Sequence, residues 1–424
     1  MRYFVPRGGP LASQRSSHFR FRVERNLRLG RSMMNTARVS ARELPKSASV
    51  VIIGGGVMGV SIAFHLAAAG VSDVVLVDKS DLGSGSTCKA AGGVRAQFSD
   101  SINIALGDRS LKVLENFRET FDQEIDLHQV GYLFLLSTPD EVSLFEHNII
   151  EQRKLGVVSK MISVEEAKER SPLINTDGLI GAAFSPYDGY CTPESVVLGY
   201  ATAARRLGAA LVPHCEATGI EVHDGRIRAV MTENGRIATG TVICAAGPWS
   251  KQVGDWAGVQ LPVTPLRRQI MVTEPIPGLD PHTPFTIDFA SSFYFHGEGS
   301  GILMGMSDPD ETPGFKFDVS DAWLPRLSRT IEHRAPSLTE VGLRSSWAGL
   351  YEMTPDHNAL VGEAKGIDRF LYATGFSGHG FLMGPAIGEV IRDLFLETPP
   401  FIDVSELDAL RFSGGEQRPE MNIV

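Results

Sequence analysis

The chain has 424 residues, 43% of them hydrophobic, enough for a large core and for two or three domains at the usual ~100–200 residues each. Its net charge of −10 is unevenly placed: residues 1–46 hold ten Arg and one Lys against Glu24 and Glu43, which is +9 there and −19 over the rest. The acidic body argues against nucleic acid as a partner, no run reaches the ~18 apolar residues of a membrane span, and Cys88, Cys191, Cys215 and Cys244 form no CxxC pair that would suggest a disulfide framework or a zinc site.

In chain order, residues 1–47 read as a basic extension ahead of the fold. They are rich in Arg and Ser and poor in acids, the composition of a mitochondrial transit peptide. Yet Phe19, Phe21 and Val23 alternate with Arg20 and Arg22 at period two, which an amphipathic helix does not do. A start codon set too far upstream, with Met33 and Met34 close to the fold, is the competing reading. The expected location is cytoplasmic, with the mitochondrion as the alternative if the segment directs import.

The stretch from Ser49 to Lys79 carries the first motif. An apolar strand, Val50–Ile53, runs into Gly54-Gly55-Gly56-Val57-Met58-Gly59, then a helix over Ser61–Ala69 ending at Gly70, then a second strand, Val74–Val77, ending in Asp78. That is a βαβ unit of ~30 residues with an acid ~20 residues past the glycines, the pattern of a dinucleotide site. Gly54 permits the tight turn, Gly56 lets backbone approach a pyrophosphate, Gly59 lets helix and strand pack closely, and the helix N-terminus offers free N–H groups to phosphate. Asp78 can accept hydrogen bonds from a ribose.

Beyond it, residues 111–209 mix helical pieces with a strand at Tyr132–Leu136, a turn-rich segment at 185–190 and a helix over Ser195–Leu207 ending at Gly208. Short strands are predicted at Leu211–Val212, Gly219–His223 and Ile227–Thr232, the last two joined by an Asp224-Gly225 turn. Thr241–Ala246 is a buried strand leading into Gly247-Pro248-Trp249, and residues 262–345 are β-rich. Phe370–Thr374 is a further strand, followed by the Gly-rich turn 375–381 and a helix over Pro385–Phe395 whose N-terminus faces that turn.

Gly54–Gly59, Ala245-Ala246-Gly247-Pro248-Trp249-Ser250, Trp347-Ala348-Gly349-Leu350-Tyr351-Glu352 and Tyr372-Ala373-Thr374-Gly375-Phe376-Ser377-Gly378-His379-Gly380, in this order and spacing, resemble the D-amino-acid oxidase superfamily, and within it the sarcosine oxidase group with the β subunits of dye-linked L-proline dehydrogenases. The resemblance covers about residues 48–400. It implies an α/β chain with a discontinuous FAD domain of the glutathione-reductase-type Rossmann class over 48–125, 185–260 and 345–400. An antiparallel-sheet α+β substrate domain would occupy 126–184 and 261–344, leaving 401–424 as a C-terminal tail.

Carried over residue by residue, Gly54, Gly56, Val57, Met58 and Gly59 would hold the pyrophosphate, and Asp78 with Lys79 the ribose end. Ala246, Gly247, Pro248 and Trp249 would approach the adenine side. The loop with Ser86, Thr87, Gly92 and Gly93 would pass over the isoalloxazine, met by Gly349 and by Gly375, Gly378, His379, Gly380 and Phe381. Arg95, Tyr351 and His379 are the catalytic candidates; no metal is expected. The implied reaction oxidises the C–N bond of a small secondary or cyclic amine or amino acid by hydride transfer to flavin N5. Electrons would then pass to O2, a dye-like carrier or a partner subunit in a hetero-oligomer. The competing reading is an FAD-holding assembly factor for a respiratory complex.

Departures from the family pattern sharpen this. Gly349 stands where covalently flavinylated members carry Cys, and Lys89 where others carry His, so the FAD should be non-covalent, with neighbouring Cys88 the weaker alternative for attachment. Leu303 aligns with a lysine that assists oxygen in the monomeric oxidases, which favours a dehydrogenase. Leu382 replaces the lysine that grips the substrate carboxylate, leaving Arg95 and one of Arg267 or Arg268 as candidates for that task.

Overall fold

A computed structural model describes residues 44–414 and 419–422 of the chain. Most of the basic extension, 1–43, lies outside the described residues. Residues 44–47 belong to the fold: Ser47 bridges Ala238, and the Ala48 N–H is donated to the Ala238 carbonyl at 2.9 Å.

Two sheets carry the architecture. The first has six strands in the order Leu360–Glu363, Phe370–Thr374, Val242–Cys244, Val50–Ile53, Val74–Val77 and Ala210–Val212, all parallel except the first. Its central strands are continuously apolar because both faces are covered. One face packs on four helices, α1 (Val57–Ala68), α2 (Ser101–Glu115), α3 (Pro193–Arg206) and α4 (Gly380–Phe395); the other packs on an antiparallel meander of Ala217–His223, Arg226–Thr232 and Gly235–Ala238. The meander turns at Asp224 and Gly225, both with positive φ, as a two-residue hairpin requires.

The second sheet has eight strands in the order Leu343–Met353, Thr264–Thr273, Gly301–Gly305, Phe293–Glu298, Phe285–Asp288, Tyr132–Leu136, Gly181–Ser185 and Lys160–Ile162. Every neighbouring pair is antiparallel except Phe285–Asp288 with Tyr132–Leu136. Together these are the α/β cofactor layer and the sheet-rich substrate layer expected. The expected boundaries at 185 and 345 both fall inside strands of the second sheet: Gly181–Ser185 and Leu343–Met353 pair only there.

Two helices begin earlier than their composition suggests. α1 starts at Val57, inside the glycine motif, and α4 at Gly380 with Pro385 in its interior. Pro385 has no N–H to give, and the next N–H, of Ala386, is taken by Ser110 Oγ at 3.1 Å, so a side chain from α2 serves the interrupted turn. The tail is not loose either: in the described part, Glu420 and Asn422 are buried.

Candidate active site

A cavity of about 760 Å³ lies between the two sheets, and its lining gathers nearly every motif residue singled out from sequence. At one end sits the glycine motif. Gly54 has φ +112°, and a Cβ there would fall 2.2 Å from the Ala245 carbonyl oxygen; at Gly59 it would fall 1.8 Å from the Gly54 oxygen. Those two glycines are demanded by protein packing, and Gly59 stands behind the cavity wall. Gly56 differs: a Cβ there meets only Thr87 Oγ1, at 3.1 Å, so the space it leaves opens on the cavity. The Val57 N–H at the start of α1 is donated to Thr87 Oγ1 at 3.1 Å, with the positive end of the helix aimed the same way.

Asp78 accepts the N–H of Gly55 at 2.6 Å and of Ser80 at 2.8 Å, which ties the end of the second strand to the glycine turn. Burial pushes its carboxyl above the usual range, while those two N–H groups and Lys79 pull it back. Lys79 Nζ lies 3.7 Å over the ring of Trp249, and Ala246, Gly247, Pro248 and Trp249 complete this end.

At the other end Gly378, His379, Gly380, Phe381 and Leu382 present the N-terminus of α4. Gly378 has φ +107°, and a Cβ would come within 2.3 Å of the Tyr351 ring, so backbone and phenol share one small space. Gly375 is not on the wall; its N–H is donated to Glu352 at 3.0 Å. His379 is buried with neither ring nitrogen bonded, edge-on to Phe98 at 5.4 Å. Burial holds its pKa well below the usual imidazole value, so the ring is neutral.

Opposite this turn, the loop carrying Ser86, Thr87, Gly92 and Gly93 is tied to the strand Leu343–Met353: Ser86 Oγ donates to the Leu350 carbonyl at 2.5 Å, and Trp347 Nε1 to the Lys89 carbonyl at 3.0 Å. A Cβ at Gly349 would lie 2.7 Å from Lys89 Cβ, so the two positions read as flavinylation sites in relatives face each other. The Cys88 sulfur sits by Gly83 and borders a separate cavity, and burial pushes its thiol up to about 11. Leu303 also lines that second cavity and not the first, so the apolar residue expected against the flavin stands one compartment away.

Arg95, Arg268 and Tyr351 meet on the wall. Arg95 is 6% exposed; its two terminal nitrogens donate to the carbonyls of Gln97 and Asn422, and its guanidinium lies 4.0 Å over Phe98. Among the described residues no carboxylate forms an ion pair with it. Arg267 and Arg268 point to opposite faces of their strand. Arg267 binds Glu311 at 2.7 Å, away from the cavity, whereas Arg268 lines the cavity with its Nε buried and unbonded, 5.1 Å from the Tyr351 ring. Burial raises the Tyr351 pKa against the pull of Arg268 and Arg95, so the phenol keeps its proton. Glu352, Tyr132 and Tyr294 also line the site without having been singled out from sequence. Glu352 accepts the Thr374 hydroxyl at 2.8 Å; strand alternation would have sent it to the face opposite Tyr351, so no signal in the sequence pointed to it.

A glycine cradle open at Gly56, an acid at the ribose position, and two helix N-termini facing one cavity fit FAD. This fold and site define a flavin-dependent oxidoreductase. The chain belongs to the FAD dependent oxidoreductase (DAO) family, whose profile matches residues 49–394. It is 31% identical over 393 residues to mitochondrial dimethylglycine dehydrogenase of Rattus norvegicus, covering 88% of this chain and 46% of that one. It is 31% identical over 409 residues to mitochondrial sarcosine dehydrogenase of Homo sapiens, covering 92% and 44%. The chain thus spans about half the length of these curated relatives. L-proline dehydrogenase of P. horikoshii superposes with a TM-score of 0.83 at 34% identity, over 88% of this chain and 100% of that one. Among the described residues no helix is long and apolar enough to cross a membrane.

Proposed function

We propose that the protein oxidises the C–N bond of a small N-methyl or cyclic amino acid, by hydride transfer to FAD held without a covalent bond. The observation that carries the reading is the cationic wall. Arg95 is a buried cation bonded to neutral carbonyls and, among the described residues, the buried Nε of Arg268 has no acceptor, so the site calls for an anion, which the carboxylate of an amino acid supplies. Tyr351, its ring 5.1 Å from the Arg268 guanidinium, shares that wall.

Bound flavin supplies the hydride acceptor; the chain supplies binding and orientation. The arginines and Tyr351 anchor the carboxylate, Tyr132, Phe285 and Tyr294 wall the amine side, and the amino terminus of α4 offers its positive end to negative charge developing at the cofactor. Non-covalent attachment rests on Gly349 and Lys89, neither a suitable nucleophile, and on a Cys88 thiol that stays protonated beside another cavity. An acceptor other than O2 is favoured by the dehydrogenase names of the relatives above, and a mitochondrial address by two of them.

Anaerobic titration with sarcosine, dimethylglycine and proline in the presence of an artificial dye tests the whole reading. One of them should bleach the flavin and reduce the dye, and acid precipitation should leave all yellow colour in the supernatant. Bleaching by none of a broad set of amino acids would sink the reaction, and colour in the pellet the mode of attachment.

A further inference from the structure

We propose that residues 420–422 are a strap that positions the Arg95 guanidinium on the wall of the active site, an inference that rests on the carboxylate-binding role of that wall. A segment that follows the last helix of a fold stays in place only where something ties it down. Here Glu420 is 1% exposed and Asn422 0%, deep between α2 and the start of the Arg95 loop.

The Glu420 carboxylate is the anchor. It accepts the N–H of Ser99 at 3.0 Å, of Asp100 at 3.1 Å and of Asn422 at 2.9 Å, the Ser99 hydroxyl at 2.6 Å and Asn103 Nδ2 at 2.9 Å. Two of these donors belong to the free N–H groups leading into α2, where a negative charge is favoured. Five donors converge on one carboxylate, so an amide in its place would set a donor against donors. The Met421 N–H adds a bond to Ser99 Oγ at 2.9 Å.

Asn422 is the grip. Its backbone oxygen accepts from Arg95 Nη2 at 2.5 Å, across 327 residues of sequence. Its side chain is held from both ends, accepting from Asn148 Nδ2 at 3.2 Å and donating to the Gln97 carbonyl at 3.4 Å, the same carbonyl that takes the other terminal nitrogen of Arg95. The guanidinium is thus fixed by two carbonyls and the Phe98 face, and one of the carbonyls comes from the strap. With a donor used on each terminal nitrogen, others remain for an anion in the cavity.

The test uses flavin-loaded protein, as wild type, Δ420–424 and Glu420→Gln, each also with Arg95→Leu. One measurement is the affinity for methoxyacetate, in which an ether replaces the oxidisable amine, read from perturbation of the flavin spectrum. A second is the rate at which phenylglyoxal modifies Arg95, read by peptide mass spectrometry. Removing the strap should weaken methoxyacetate binding about tenfold, the size of one charge-assisted hydrogen bond, and speed modification of Arg95. Glu420→Gln should do both to a smaller degree and serves if the truncated chain does not fold. In the Arg95→Leu background neither change should weaken binding further. Unchanged modification and affinity, or equal losses with and without Arg95, would overturn the strap. If methoxyacetate fails to perturb wild type, the carboxylate reading is what fails, and the modification rates still decide the strap.

Discussion

At the scale of single residues, the site turns on which of two adjacent arginines faces inward. Sequence could nominate Arg267 or Arg268 but not choose, because a strand's phase is set by pairing: Arg268 lies opposite Gly349 and Arg267 opposite Leu350. Once the register is known, the outward arginine meets Glu311 and the inward one forms no ion pair among the described residues. Arg268→Leu is therefore expected to lower kcat/KM by roughly 10–100-fold, the effect of about 1.5–3 kcal/mol for a charged hydrogen bond, with flavin content intact. Steady-state kinetics on the substrate found by titration checks it; wild-type kcat/KM would remove Arg268 from the site. Leu303 has the same limit: sequence does not fix the phase of its strand, and it stands beside the neighbouring cavity.

At the scale of elements, α1 and α4 cross so closely that both N-termini converge on one cavity. Gly384 and Gly388 make that possible: a Cβ at Gly384 would lie 2.6 Å from Val57 Cγ2, and one at Gly388 would lie 2.2 Å from Ser61 Oγ. Gly388→Leu should overpack the crossing at a cost of about 1–3 kcal/mol and weaken FAD binding along with it, since the helices can separate only by moving their termini. Thermal melting with flavin fluorescence reads both; a stable variant with unchanged FAD affinity would show that the crossing does not set the site. The βαβ unit was legible because its strands are short, apolar and fully buried, and the glycines have steric reasons visible in their spacing. The start of α4 was not, because Pro385 resembles a helix opening until Ser110, far off in sequence, is seen to serve the turn it interrupts.

For the whole molecule, burial of charge ties stability to pH. Asp188 is fully enclosed, with Oδ1 accepting the Ala96 N–H at 3.1 Å; burial raises its pKa to about 7, against the pull of Ala96, Ser185 and Arg95. The folded state therefore holds a proton that the unfolded chain, near ~3.9, releases more readily. The sign follows: this contribution to stability is complete below about pH 4 and is lost as pH rises to about 7. Asp188→Asn keeps the acceptor and removes the charge, so its melting temperature relative to wild type should rise between pH 5 and pH 8. Parallel curves for the two proteins would mean that the carboxyl is not the group responsible. Such an effect has no signature in sequence, where 185–190 reads only as a turn.

The strand order of the six-stranded sheet also bears on how the protein is made. Val50–Ile53 lies between Val74–Val77 and Val242–Cys244, and the latter in turn needs Phe370–Thr374. From the first strand to the last is about 320 residues, which a ribosome adds in about 15–65 s at ~5–20 residues per second. Until Val242–Cys244 emerges one edge of Val-Val-Ile-Ile is synthesised but unpaired, and from then until Phe370–Thr374 emerges one edge of Val242–Cys244 is, each in turn a template for wrong partners. Slowing elongation between Ile53 and Phe370 should therefore lower the soluble yield, and a chaperone that shields the nascent edge should restore it.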